Sequence, residues 1–160
     1  MFILRRNLQV NEDFCRGVFD KWQFNVWRIH MVVNKGSAGS VIYRLFDKRW
    51  RDQNLRWEPY SYDGRKHVEI SRLYDDRDNG VGPCAAILRY APGAFAPAHL
   101  HTGTELILVL EGELSNDSGC HSAGTLEICP AGSIHALSSK LGCVFLVIWE
   151  QPVQLLSDLI

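Results

Sequence analysis

What this 160-residue chain lacks narrows its chemistry before any motif is considered. Its five cysteines (Cys15, Cys84, Cys120, Cys129 and Cys143) are odd in number and widely spaced, with no C-x-x-C, which excludes a disulfide framework and a zinc ribbon. They read as free thiols of a reducing, cytoplasmic compartment, and Cys129 and Cys143, in apolar strand-like runs, read as small buried hydrophobes. No apolar run approaches the ~20 residues of a membrane span. The opening from Met1 to Arg6 places its charge behind a short apolar stub, the wrong order for a secretory signal, so no membrane partner is expected. Net charge is nearly absent as well. Seventeen basic and 18 acidic residues leave -1, no footprint for a polyanion, and nucleic acid is not expected as a partner. Repeats and low-complexity tracts are missing too, and 46% hydrophobic with 22% charged residues is the composition of one globular domain with room for an appendage.

What is present is unevenly distributed. Residues 1–60 hold 11 Lys/Arg against 6 Asp/Glu, residues 61–160 hold 6 against 12, and four of the five tryptophans (Trp22, Trp27, Trp50, Trp57) precede residue 60. In the first part, Asn11 before Glu12, Asp13, Phe14 and Val18 fits a capped short helix, and Trp22 to Val33 alternates like a strand with a slip. Val41, Ile42, Leu45, Phe46 and Trp50 fit one face of a helix or a strand of open register. A strand at Val68 to Leu73 precedes a charged turn at Asp75 to Asn79, and from about Ala85 onward the chain is short apolar runs punctuated by Gly, Pro, Asn, Asp and Ser. The runs are Ala85 to Tyr90, the segment leading to His101, Glu105 to Leu110, Thr125 to Cys129 and Cys143 to Trp149, an all-β sandwich or barrel pattern. Leu106 to Leu110 and Val144 to Ile148 are apolar at every position, so both faces of those strands are expected to be covered. The tail from Pro152 is expected to make one or two helical turns packing Leu155, Leu156 and Leu159.

The chemistry concentrates between Gly93 and His135. His99 and His101, one residue apart on an extended chain, project to one face because the strand period is two. A turn at Thr102 to Thr104 returns the chain, and Glu105 then brings a carboxylate towards the same centre. From Gly124, a strand and a tight turn at Pro130 to Gly132 deliver a further histidine, His135. Three imidazoles and a carboxylate are metal-ligand chemistry. His121, beside Cys120, reads as a surface-loop histidine rather than a fifth ligand, and Glu111 and Glu127 read as rim or solvent positions.

These stretches resemble the two cupin motifs. Gly93, His99, His101, Glu105 and Gly112 match G-x5-H-x-H-x3-E-x6-G, and Gly124, Pro130, Gly132 and His135 match G-x5-P-x-G-x2-H. The chain departs only where many cupins carry Asn after the second motif and this one carries Ser139. The wording around Arg89 to Ala94, Leu108 to Leu114, Pro130 to Ala136 and Gly142 to Phe145 is similar to the ChrR-like branch, across roughly Trp57 to Glu150. The resemblance implies an all-β jelly-roll barrel over 57–160 with a short C-terminal tail, and an N-terminal extension of mixed short elements, 1–56, packing on the barrel or swapping into a homodimer mate. It implies His99, His101, Glu105 and His135 as ligands of one divalent metal ion. The H-x3-C-x2-C of the helical anti-sigma zinc domain is absent, so that activity is not carried over.

Such an N3O set suits Fe(II), Mn(II), Ni(II), Cu(II) or Zn(II). Fe(II) in an octahedral frame keeps two positions open, enough for a chelating enolate, or for one substrate oxygen and dioxygen together, whereas Zn(II) can close a tetrahedron on four protein ligands. ChrR-like cupins, by resemblance, include small dioxygenases acting on diketones or aromatic compounds as well as regulatory zinc domains. The expectation is a small dioxygenase acting on a diketone or phenolic ketone held inside the barrel, with Ile107, Val109, Phe95 and Phe145 as candidate walls. The alternative is a non-catalytic zinc-binding sensor or small-molecule-binding cupin.

Overall fold

A computed structural model describes residues 40–156; the expected helix after Asn11 and the strand-like Trp22 to Val33 lie outside them. Asp47 caps the first described element, accepting from the Trp50 amide (2.9 Å) to start helix α1 (Lys48–Asn54). Val41, Ile42 and Phe46 are exposed, so the five hydrophobics of this region share no single face. The buried residue of α1 is Arg51, which donates to the Leu45 carbonyl and to the Glu111 carboxylate, both at 2.5 Å. These bonds tie the helix to the barrel.

The strands follow as β1 (Glu58–Pro59), then a single 3-10 turn (Tyr62–Gly64), β2 (Lys66–Asp75), β3 (Cys84–His101), β4 (Glu105–Asn116), β5 (Gly119–Ser122), β6 (Leu126–Cys129), β7 (Ile134–Ser139), β8 (Cys143–Trp149) and β9 (Val153–Leu155). All pair antiparallel. β3 and β4 are long enough to serve two layers. Their first halves join the order β1-β2-β3-β8-β4-β6, and their second halves join β9-β3-β7-β4-β5. The two layers close an all-β jelly-roll barrel. β3 changes layer at Pro92-Gly93, where Gly93 takes φ +79, a conformation open to glycine at little cost.

The barrel is filled by Ile107, Val109 and Phe145 with Ile70, Leu88, Leu114 and Val147. Outside the first layer, Leu73, Ile87, Leu110 and Val144 form a second cluster against Tyr43, Leu45, Leu55 and Trp57. The continuous apolar runs of β4 and β8 are therefore covered on both faces, the outer cover coming from the segment before β1. The tail departs from the expected helical turns. Val153–Leu155 instead adds a strand beside β3, with Val153 opposite His101 and Leu155 opposite His99. A stub this short gains more from a waiting sheet edge than from nucleating a helix. Leu159 lies outside the described residues.

Candidate metal centre

A one-residue irregularity in β3 aims the first two histidines. Ala96 faces Leu137 and His99 faces His135, so three residues of β3 span two of β7. The extra residue inverts the alternation: Phe95 before it is 39% exposed, whereas His99 and His101 after it are 3% and 2% exposed. This corrects the expectation that Phe95 lines the interior, which counted it in phase with the histidines across a bulge. Pro97 fits at such a point because it has no N–H to place in a ladder.

His135 stands on β7 directly across from His99. The Pro130 to Ser133 turn before it is strapped to β3, with the Gly132 amide donating to the His101 carbonyl (2.8 Å) and the His101 amide to the Ser133 carbonyl (3.0 Å). Glu105 opens β4 and is 3% exposed. The three imidazoles stand with ring centres 4.6 to 5.2 Å apart and planes 79° to 87° from one another. One donor atom from each of the four groups falls within 4.8 Å of all the others.

Hydrogen bonds on the outer nitrogens turn the inner ones towards this centre. His99 Nδ1 lies 2.9 Å from the Pro97 carbonyl, which can only accept, so the proton sits on Nδ1 and the Nε2 lone pair is free. Ser133 donates its hydroxyl proton to the Pro130 carbonyl (2.6 Å) and accepts from His101 Nδ1 (2.8 Å). His135 Nδ1 lies 3.8 Å from the Cys129 sulfur. Among the described residues, His101 Nε2, His135 Nε2 and Glu105 Oε1 are buried with no hydrogen-bond partner. Orphans of this kind are rare in folded proteins and call for an ion or a water. Glu105 Oε1 stands 3.4 Å from His101 Nε2 and 3.3 Å from His135 Nε2, longer than a charge-assisted hydrogen bond. Two donors each ~2.1 Å from one cation stand about 3.0–3.4 Å apart at octahedral to tetrahedral angles. The donor set fits a divalent cation.

Burial pushes the Glu105 carboxyl up, but His101 and His135 outweigh it and bring it down to about 2. Burial holds the His99 imidazole below its ordinary range, against the opposing bond to the Pro97 carbonyl. A neutral His99 imidazole and an ionised carboxylate are the ligating forms at neutral pH.

The other sequence candidates fall elsewhere. His121 lies on β5, a strand rather than a loop, with Nε2 3.1 Å from the Asn116 side-chain oxygen. Glu127 accepts from Asn116 (2.8 and 2.9 Å) and, with Cys129, forms a second cluster that shares His135. Burial, then Glu127, pushes the Cys129 thiol up to about 12, and burial pushes Cys143 up to about 11, so both are inert protonated thiols, as expected of buried hydrophobes. Glu111 faces α1 and pairs with Arg51 and Lys48. Ser139 is buried and donates to the Glu113 carbonyl (2.6 Å).

A small cavity, partly open to solvent, reaches His99 and Glu105. Its walls include Leu88, Leu137, Phe145 and Val147, with Tyr60, Arg65 and Tyr90 as further polar groups. Sequence reasoning missed Tyr60 and Arg65, which precede both motifs in what reads as an ordinary polar turn.

An antiparallel jelly-roll barrel with three histidines and a glutamate converging inside it defines the cupin class. Within that class the chain belongs to the family of ChrR cupin-like domains, whose family model matches residues 47–153. Three solved structures illustrate the likeness. The polyketide cyclase RemF from Streptomyces resistomycificus superposes with a TM-score of 0.58 at 21% identity, covering 74% of this chain and 85% of its own. Anti-sigma ChrR of Rhodobacter sphaeroides, solved in complex with SigE, gives 0.53 at 22% identity, covering 68% of this chain and 58% of its own. An acetylacetone dioxygenase from Acinetobacter johnsonii gives 0.56 at 13% identity, covering 88% and 82%. At these identities the likeness is one of fold. No curated protein matches this chain in sequence.

Proposed function

We propose that the protein is a mononuclear metal-dependent dioxygenase acting on a small diketone or phenolic ketone, with His99, His101, Glu105 and His135 holding one divalent ion, Fe(II). The observation that carries this reading is the buried set of three imidazoles and one carboxylate opening onto a largely apolar cavity. Bound Fe(II) supplies open coordination positions at which an organic substrate and dioxygen meet. The chain's own part is preparation. Pro97 and Ser133 keep His99 and His101 in the ligating tautomer, Glu105 lowers the net charge of the centre, and Leu88, Leu137, Phe145 and Val147 keep water from an apolar substrate. The acetylacetone dioxygenase among the structural neighbours supports the substrate class.

A second reading, a non-catalytic zinc-binding sensor or small-molecule-binding cupin, is favoured by the 3.3 and 3.4 Å spacings around Glu105, which suit a tetrahedron closed by four protein ligands. Mn(II), Ni(II) and Cu(II) suit the same donors. Metal analysis of anaerobically purified protein, with oxygen uptake over a panel of β-diketones and phenolic ketones, separates the two. Stoichiometric iron and substrate-dependent uptake are expected, and stoichiometric zinc with no uptake after iron reconstitution removes the dioxygenase.

The same proposal takes two copies to associate as a homodimer. On β6, Leu126 and Ile128 are exposed, and they continue the outward rows of Leu108 and Leu106 on β4. β6 pairs only with β4 among the described residues, an open apolar edge of the kind that pairing covers. A reducing, cytoplasmic setting is supported by the free thiols of Cys84, Cys120, Cys129 and Cys143. No helix among the described residues is long and apolar enough to cross a membrane.

A further inference from the structure

We propose that Arg65 is the anion-binding residue of the barrel cavity, and that the ligand it receives is a small apolar molecule carrying an organic oxyanion, a carboxylate or an enolate. The inference rests on the reading above that the barrel takes a small organic ligand, but not on turnover.

Arg65 follows the 3-10 turn, and its side chain is 6% exposed. Burying a guanidinium is costly unless its donors are met. Its five N–H groups form a planar fork. Nη1 alone is engaged among the described residues, donating to the Tyr62 carbonyl (3.3 Å) and to Asp63 (2.9 Å), whose side chain is half exposed. The guanidinium carbon sits 4.5 Å from the centre of the Tyr60 ring. One contact to Asp63 and one aromatic face hold the fork in place without using its Nε or Nη2 donors.

The same group lines the cavity reached by His99 and Glu105. The other charge there, on Glu105, has its Oε1 turned to His101 and His135. Tyr60 and Tyr90 line the cavity too, and no hydrogen bond engages either hydroxyl among the described residues. A held cation and two hydroxyl donors set in apolar walls recognise an oxyanion on an otherwise apolar body. The low-dielectric surroundings make such a charge-assisted bond stronger than it is in water. A neutral ligand of the same shape can accept a hydrogen bond from the guanidinium but does not meet its charge.

Calorimetric titration of anaerobic, Zn(II)-loaded protein with benzoate, acetylacetonate and the neutral benzamide tests this without any turnover. Arg65→Gln is expected to weaken at least one of the two anions tenfold or more, with benzamide within twofold and Arg65→Lys in between. Which anion responds distinguishes a carboxylate from an enolate ligand. Equal weakening of benzamide, anion affinities unchanged in R65Q, or no binding of either anion to the wild-type protein would overturn the proposal. Metal-stripped wild-type protein gives a second readout that needs no variant. Benzoate is expected to remain preferred over benzamide there, and loss of the preference would assign the anion to the metal instead. An anion preference that depends on Arg65, together with absent oxygen uptake, leaves this inference standing and removes only the dioxygenase.

Discussion

Ser133 controls His101 through one hydroxyl, donating to Pro130 and accepting from the imidazole, so removing it frees both the tautomer and the ring orientation. Ser133→Ala is expected to lower metal affinity about 10–100-fold, with Ser133→Thr restoring most of it, read by competition against a chelator. Glu105→Gln removes the anionic donor and is expected to abolish stoichiometric metal in elemental analysis. The metal-free protein carries a pH signature of the same cluster. Burial lowers the folded-state pKa of His99 below its ordinary 6.5, so the unfolded chain takes up that proton first on acidification. Stability is therefore full above about 6.5 and declines below it. A further loss follows as pH falls from 4.5 towards about 2, where Glu105, held low by its histidine neighbours, at last protonates. Urea midpoints across a pH series check both steps, and His99→Gln is expected to flatten the upper one.

Two glycines of the first motif look alike on paper and differ in the strands they occupy. Gly112 has φ +76, and a Cβ there would stand 2.2 Å from the Gly142 carbonyl oxygen, a backbone atom with nowhere to go. Gly93 has φ +79 with nothing within 4 Å of a Cβ. Gly93→Ala is expected to cost only the left-handed strain, about 1–2 kcal/mol. Gly112→Ala adds the clash and is expected to exceed about 4 kcal/mol; chemical denaturation of the pair checks the ordering. Helix α1 depends on Arg51, whose guanidinium satisfies the Leu45 carbonyl and meets Glu111 on β4. Arg51→Met is expected to cost about 1–3 kcal/mol, because Glu111 is 44% exposed and water recovers part of its loss.

At the scale of the whole molecule, the exposed Leu126 and Ile128 at the β6 edge bear on association. Sedimentation is expected to report twice the 18.2 kDa chain mass, and the double substitution Leu126→Glu with Ile128→Glu to return it to a single chain while metal content is kept. A wild-type protein that sediments only at 18.2 kDa contradicts the homodimer. The basic, tryptophan-rich character of residues 1–60 belongs to this scale as well, since part of that segment already serves the barrel: Leu45, Leu55 and Trp57 cover its outer cluster.

The amino-acid sequence by itself determined the all-β class and marked the four residues that the structure brings together. The i, i+2 histidines, the glutamate after a turn and the histidine after Pro-Ala-Gly are local spacings, and local spacing constrains where a strand can aim its side chains. The helix at Lys48 stayed open against a strand, because the hydrophobics from Val41 to Trp50 mark no single face, and the cap at Asp47 emerges only in the structure. Only the tertiary structure decided which face of β3 was inside, because the bulge after Ala96 shifts the period by one residue without marking Phe95 as different from His99. It alone made Val153–Leu155 a strand, since the edge that receives it comes from residues more than fifty positions earlier. It alone brought Arg65 and Tyr60 to the cavity of His99. Their proximity arises from closing a barrel between distant segments, and pairing across such separations leaves no period in the chain to read.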